Sequence, residues 1–331
     1  MQAPGEQPLR VSDGGGRGRR VSVVVPLYDE ETTLAPLYDE VAAALDASVV
    51  DWEIVYVDDG SRDGSYAELV RLHEAYRNVR VVRLRRNFGK SAALTAGFAW
   101  TSGDVIVTID ADLQDDPAEI PNLLAKLAEG YDLVSGWKSV RHDPLRRRVV
   151  SRIYNTTTSV VSGVRLHDMN CGLKAYRAEV VENLRLYGDL HRFVPVLAHH
   201  LGYRTAEVPV KHRRRRSGRS RFGLERYLRG VLDLLTVTFI GRYRHRPLHL
   251  FGGIGTLLGG AGFAILVYLT VIKAGGAGIG SRPLLLLGIL LLVVGVQFVS
   301  LGLIGEMLAS QHAEKAGVAD TARAYVRDVL R

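Results

Sequence analysis

The sequence predicts an α/β domain built on a mostly parallel sheet flanked by helices, followed by an interfacial helix and a two-helix transmembrane hairpin. Three observations predict this. Short apolar runs alternate with amphipathic stretches over residues 21–223, the pattern of β-α units joined by right-handed crossovers. Four of those runs end in turns crowded with charged and polar residues. Two nearly uncharged segments, Leu248 to Ile272 and Pro283 to Leu303, are each long enough to cross the hydrocarbon core, which takes about 20 helical residues.

Taken in order, residues 1–20 are rich in Gly and Arg and lack an apolar centre, so they read as a disordered tail and not as a signal peptide. Val21 to Pro26 is the first strand, and a helix follows from about Glu30 to Ala47. Trp52 to Val57 is the second strand, and Asp58-Asp59-Gly60-Ser61-Arg62-Asp63-Gly64 is the turn that opens the next helix. Val79 to Leu84 is the third, ending in Arg85-Arg86-Asn87-Phe88-Gly89-Lys90, and a helix from Ser91 to Trp100 leads to the fourth. That strand, starting at Val105, is a short apolar run that stops in Asp110-Ala111-Asp112-Leu113-Gln114. Ligands of open α/β sheets collect at the carboxyl ends of strands. The four turns therefore converge on one edge.

Residues 224–247 form an intermediate zone. Its helix is apolar but interrupted by Glu225, Arg226, Arg229 and Asp233, which suits the membrane interface. The hairpin is expected over 248–308 and a cytoplasmic tail over 309–331. Arg242, Arg244, His245 and Arg246 precede the first span, against Lys273 and Arg282 in the far loop. The basic side stays in the cytoplasm, so the 21–223 domain and the C-terminus are expected there.

Composition limits the partners. The 331-residue chain carries a net charge of +8, which points to an anionic partner: phosphates, a membrane surface or nucleic acid. Arg213 to Arg216 is a basic run without interleaved aromatics, so a nucleic-acid role is not expected. The single cysteine, Cys171, rules out an intramolecular disulfide framework and reads as a small buried residue.

The turns carry the chemistry. Asp110 and Asp112 make a hard-oxygen site suited to Mg²⁺ or Mn²⁺, which uses one or two protein carboxylates plus substrate phosphates. Gln114 can add an oxygen. A calcium loop fails on spacing here and at Asp59 to Val70, where the closing Glu is missing. Asp58 and Asp59 can accept hydrogen bonds from a nucleobase or ribose. Arg86 and Lys90 beside a helix N-terminus favour a diphosphate. Neither the dinucleotide glycine fingerprint nor a P-loop is present, which argues against a nicotinamide enzyme or an ordinary ATPase.

Val23 to Glu30, Val57 to Ser61, Arg86 to Lys90 and Asp110 to Gln114 resemble, in order, the motifs of inverting family 2 glycosyltransferases of the GT-A type. Within that family they are most similar to polyprenyl-phosphate (dolichyl-phosphate-type) mannose and glucose synthases, and the two spans resemble the bacterial membrane-anchored branch. The resemblance implies that Pro26, Tyr28, Glu30 and Asp58 hold the nucleotide, with Asp59, Lys90, Asp110 and Ala111 beside them. It implies that Asp110, Asp112 and Gln114 hold the metal on the sugar-nucleotide diphosphate.

Asp168 to Tyr176 resembles the family's Asp-x-x-Ser-Gly-Phe-Arg-x-Tyr segment near the acceptor, with Cys171 for Ser and Lys174 for Arg. Arg215 to Arg221 resembles an Arg-x-x-Gly-x-Ser-Lys loop that closes over phosphates, with Arg221 for Lys. Lys138, Arg147, Ser151, Lys174, Arg215, Ser220 and Arg221 are the expected acceptor-phosphate set. Asp112, Asp168 and Arg215 are the expected catalytic set.

The implied reaction is inverting transfer of a hexose from a nucleotide-diphosphate sugar to a polyprenyl monophosphate at the cytoplasmic membrane face. UDP-glucose is favoured over GDP-mannose because the two-span hairpin resembles that of bacterial glucosyltransferases. Membrane relatives of this kind imply a homo-oligomer, a tetramer among the options. Two alternatives stay open. A processive polysaccharide synthase shares the nucleotide motifs, although its Gln-x-x-Arg-Trp motif is absent and its pore needs more spans. A nonenzymatic membrane-anchored scaffold explains the spans but not the strand-end carboxylates.

Overall fold

The computed structural model describes residues 20–47, 51–138, 159, 163–164, 166–213, 239, 247–276, 278, 283–312 and 325–330. The expected interfacial helix at 224–241 lies outside these residues, Phe239 excepted. The chain divides into two compact units, Met1–Val237 with Gly317–Arg331, and Thr238–Ala316.

The first unit is built on an eight-stranded sheet. In chain order its strands are β1 (Arg20–Leu27), β2 (Asp51–Asp58), β3 (Val79–Leu84), β4 (Val105–Thr108), β5 (Leu133–Lys138), β6 (Lys174–Arg177), β7 (Thr205–Val210) and β8 (Val326–Leu330). Their spatial order is β7-β5-β6-β4-β1-β2-β3-β8. β1 pairs in parallel with β2 and β4, β2 with β3, and β5 with β7. β6 runs antiparallel between β4 and β5. β1, β2 and β4 are buried almost throughout, as strands covered on both faces must be, and this is why they read as continuous apolar runs.

Helices α1 (Leu34–Asp46), α2 (Ser65–Ala75), α3 (Lys90–Phe98) and α4 (Ile120–Ala128) follow β1 to β4 in turn. α5 (Ala178–Asn183) and α6 (Val194–His200) follow β6. From β1 the chain winds through β2 and β3 on one side, then returns to β4 on the other. The crossing point lies between β1 and β4, where such sheets open a crevice beyond the strand ends.

The opposite end of the sheet is closed by a buried carboxylate. Glu53, 1% exposed, accepts hydrogen bonds from Ser22 Oγ at 2.6 Å and from the Ser102 backbone N–H at 2.7 Å, and it pairs with Arg80 at 3.1 Å. A buried charge is tolerated only when so compensated. It ties β1, β2, β3 and the loop before β4 into one frame.

β8 corrects the expectation of a plain tail over 309–331. It pairs antiparallel with β3 from Val81↔Leu330 to Leu84↔Val326, with a bulge at Arg83/Leu84, and so covers the edge that β3 would otherwise expose.

In the second unit, α7 (Pro247–Ala274) and α8 (Pro283–His312) pack as a helical pair. Both are long and apolar enough to cross a membrane. Their backbones meet at glycines: a Cβ on Gly255 would stand 2.6 Å from the Gly295 carbonyl oxygen, and one on Gly262 2.6 Å from that of Gly288. Small residues at the seam give the close van der Waals packing that holds helices together in lipid. Leu257, Phe263, Val271, Leu286, Leu290 and Val296 face outward, exposed.

Gly97 on α3 lies against β1 and β2, where an added Cβ would stand 2.5 Å from Val24 Cγ1 and 2.9 Å from Val57 Cγ2. Alanine gains about 1 kcal/mol of helix propensity over glycine, but overpacking a filled core costs about 1–3 kcal/mol. Gly97→Ala should therefore lower the melting temperature of the purified protein. A melting temperature equal to or above wild type would show that α3 shifts at no cost.

Candidate active site

A cleft of about 280 Å³ opens at the crossing point, lined by Pro26, Tyr28, Glu30, Asp59, Asn87, Gly89, Lys90, Asp110, Ala111 and Asp112 among others. Seven of the eight expected nucleotide residues thus share one wall system. Only Asp58 is missing from it.

The turn after β1 is stitched to the turn after β2. The Asp29 N–H donates to Ser61 Oγ at 3.0 Å, and Asp29 Oδ1 accepts from the Arg62 N–H at 2.7 Å. The Glu30 N–H donates to Ser65 Oγ at 2.9 Å. Asp63 accepts from Ser65 and the Glu31 N–H. Asp29 holds φ +57° and Leu113, in the turn after β4, holds φ +56°. Left-handed backbone at non-glycine residues is strained and collects at functional sites. Both described instances border this cleft.

Asp58 and Asp59 point to different places. Asp58 is fully buried beneath the turn; its Oδ1 accepts from the Ser61 N–H at 2.8 Å and its Oδ2 lies 3.6 Å from Arg83. Asp59 lies on the cleft wall and accepts from the Phe88 N–H at 2.7 Å and the Gly89 N–H at 2.8 Å. Burial pushes the Asp59 carboxyl up, Asp58 adds to this, and the two N–H groups oppose it. The close approach needs Gly60, at φ +73°, because a Cβ there would stand 2.6 Å from the Arg86 carbonyl carbon.

The turn after β3 delivers Lys90, whose ammonium pairs with Asp110. Burial alone would raise the Asp110 carboxyl, but Lys90 first, then Lys138 and Lys174, hold it below the usual range. Asp112 Oδ1 accepts from the Gln114 N–H at 3.2 Å. Gln114 itself is drawn aside: its carbonyl accepts from the Arg213 N–H at 2.7 Å and its side-chain amide reaches the Arg213 carbonyl at 3.5 Å. Arg213 also pairs with Glu40 at 2.6 Å and Asp116 at 2.8 Å, so its charge is spent inside the protein.

The expected acceptor residues are placed differently from one another. Lys138 lies 3.9 Å from buried Asp115, which His212 also faces at 3.3 Å. Burial would lower the Lys138 ammonium, but Asp115 holds it above the usual range. Lys174 turns inward, 4% exposed, and donates to the Cys171 carbonyl; burial pulls it below the usual range. Asp168, also buried, accepts from the Asn170 N–H at 3.1 Å while its own N–H donates to Glu207 at 3.0 Å. Burial pushes the Cys171 thiol up to about 12, so it stays protonated. Arg147, Ser151, Arg215, Ser220 and Arg221 lie outside the described residues.

A second, narrow cavity shares Lys90 and Asp110 with the cleft and is lined further by Asn170, Gly172, Lys174 and His191. His191 escaped the sequence analysis. Its Nδ1 lies 3.1 Å from Ser91 Oγ, and burial, then Lys90 and Arg192, push its imidazole down to about 3. It is therefore neutral at physiological pH. A lone histidine outside any turn motif carried no signal.

Residues 22–185 match the family model described as glycosyl transferase family 2. The chain is 39% identical over 312 residues to the dodecaprenyl-phosphate galacturonate synthase of Rhizobium johnstonii, covering 92% of this chain and 91% of the relative. It is 37% identical over 313 residues to the undecaprenyl-phosphate 4-deoxy-4-formamido-L-arabinose transferase of Edwardsiella ictaluri, covering 94% of each. Among solved structures, glucosyl-3-phosphoglycerate synthase from Mycobacterium tuberculosis in complex with Mn²⁺ and UDP-glucose shares the fold. Its TM-score is 0.53 at 20% identity, over 72% of this chain and 84% of that one.

Gly172 lies directly behind Asp110: a Cβ there would stand 2.6 Å from Asp110 Cγ. The Thr108 hydroxyl, donating to the Gly172 carbonyl at 2.9 Å, keeps the backbone from retreating. Gly172→Ala should therefore push Asp110 off Lys90 and lower the melting temperature of the purified protein, since overpacking a filled site costs about 1–3 kcal/mol. A melting temperature equal to wild type would mean that this contact does not govern the Asp110 position.

Proposed function

The chain belongs to glycosyl transferase family 2, and on that premise we propose that it transfers one sugar from a nucleotide-diphosphate donor to a polyprenyl monophosphate at the cytoplasmic face of a membrane. The observation that carries this reading is the strand-end cleft in which Asp59, Lys90, Asp110 and Asp112 line one cavity. Support for the acceptor comes from the two relatives, whose names specify polyprenyl phosphates and whose likeness runs through more than nine-tenths of both chains. The two apolar helices fit a lipid substrate.

The chemistry needs little from a base. A lipid monophosphate is already an anionic nucleophile at neutral pH, and its direct attack on the anomeric carbon inverts the configuration there. The site must instead bring two anions together and stabilise the departing nucleoside diphosphate, which preorganised charges do electrostatically. The turn after β1 and Asp59 bind the nucleoside, Lys90 faces the diphosphate, and Lys138 with Arg147, Ser151, Arg215, Ser220 and Arg221 receives the acceptor phosphate. Lys174 holds the loop behind Asp110, and Asp168 orients the acceptor side of the site.

Asp110 and Asp112 fit Mg²⁺ or Mn²⁺. They are two carboxylates on one turn facing the cleft, and among the described residues no three His, Cys, Asp or Glu side chains gather to hold a metal alone. A hard cation there takes its remaining ligands from the donor phosphates, and when bound it neutralises charge on the leaving group.

The hairpin resemblance favours UDP-glucose over GDP-mannose. The relatives act, by their names, on galacturonate and on 4-deoxy-4-formamido-L-arabinose, so the donor panel must include UDP-uronates and UDP-pentoses besides UDP-glucose and GDP-mannose. Incubation of each radiolabelled donor with membrane lipid should give one mild-acid-labile glycolipid, identified by mass spectrometry. In that assay Asp112→Asn should lose at least about 10²-fold in turnover, the scale of one lost electrostatic stabiliser, with the fold retained. Near-normal transfer by the purified variant in Mn²⁺ would sink the metal assignment.

A further inference from the structure

The donor turns all lie in the N-terminal half of the chain, yet the C-terminal strand reaches them. We infer that Tyr325, which leads into β8, is a positioning residue for the donor site: by packing on Phe88 it fixes the Phe88–Lys90 turn against Asp59. The inference rests on the donor cleft assigned above.

The contacts form a continuous path. The Tyr325 and Phe88 rings lie 4.9 Å apart at 49°, a tilted aromatic pair of the favoured kind. The Arg86 guanidinium sits 4.4 Å from the Phe88 ring centroid, so Phe88 contacts Arg86 as well as Tyr325. The Arg85 N–H donates to the Tyr325 carbonyl at 3.2 Å, and Arg85 Nε to the Val326 carbonyl at 3.2 Å. From Phe88 the path runs through its own N–H and that of Gly89 to the two Asp59 oxygens, then through Lys90 to Asp110.

Gly89 has φ +92°, a conformation that glycine adopts readily and other residues rarely, and it has no side chain with which to anchor the turn. The position of Lys90 therefore depends on the contacts around it. Asp59 grips its N–H groups, and Tyr325 grips its side chain. Asp328 adds a second anchor, accepting from the Tyr66 hydroxyl at 3.3 Å, and Tyr66 in turn underlies Arg83 at 3.9 Å.

Simple edge protection, in which β8 only pairs with β3, is the competing role. Tyr325→Ala separates the two, since it removes the ring and leaves the backbone ladder from Val326 to Leu330 in place. In full-length protein the variant should raise the Kd for UDP and the KM for the sugar nucleotide about three- to tenfold, the range of one aromatic pair. The KM for polyprenyl phosphate should stay at the wild-type value, the melting temperature should fall by only a few degrees, and Tyr325→Phe should restore donor affinity. Tyr325→Leu, which keeps an apolar side chain, serves the same comparison if the alanine variant does not fold. Wild-type donor affinity in the ring-less variant overturns the inference, as does an equal loss for donor and acceptor that Phe does not restore. If wild type itself binds no UDP, it is the donor-cleft reading that fails.

Discussion

The Asp59 carboxylate is the interaction on which the cleft depends. Almost closed off from solvent, it takes the N–H groups of Phe88 and Gly89, and so joins the end of β2 to the turn after β3. Burying the charge raises its carboxyl, a cost that two charge-assisted hydrogen bonds offset. Everything downstream inherits the resulting geometry: α3 begins at Lys90, Lys90 meets Asp110, and Asp110 stands where Gly172 leaves room for it. The contact is also demanding, since Gly60 has to let the two turns touch.

Charges around the cleft alternate in sign over short distances. Asp110 lies among Lys90, Lys138 and Lys174, and Asp115 between Lys138 and His212. Such a lattice can be solvent-poor without stranding a charge. In the segment that resembles the family's acceptor motif, Lys174 stands where arginine is usual, and its compact ammonium donates inward to the Cys171 carbonyl. Cys171 packs as a small apolar residue with an inert thiol, and nothing there asks for a hydroxyl.

How much of this was legible follows from which signals are local. β1, β2 and β4 announce themselves because both faces are buried, and the turns because charged residues interrupt apolar runs. The Asp58/Asp59 distinction was legible in principle. Side chains alternate along a strand: Tyr56 reaches the Leu34 carbonyl on the α1 side, while Val57 lies against Gly97 on α3. Asp59, two residues beyond Val57, therefore continues toward the turn that opens α3. β8 was not legible, because five residues with two charges among them become a strand only through an edge some 240 positions earlier. The inward path of Lys174 was not legible for the same reason: it is set by the Thr108↔Lys174 pairing, which no local pattern encodes.

The hairpin argues for an anchor over a conduit. α7 and α8 meet backbone to backbone at Gly255, Gly262, Gly288 and Gly295, leaving no lumen between them at these positions, and the large apolar residues on their outward faces include Leu, Val, Ile and Phe. A pore for a growing polysaccharide needs a polar lining, because polar groups in lipid must be satisfied within the protein. Two helices joined along a glycine seam supply none. On the proposed function, what they would supply is confinement: a domain tethered to a bilayer meets a lipid phosphate at a local concentration far above its bulk value, with no added contact. For a reaction whose nucleophile arrives already ionised, that confinement would complement the electrostatic stabilisation of the departing diphosphate.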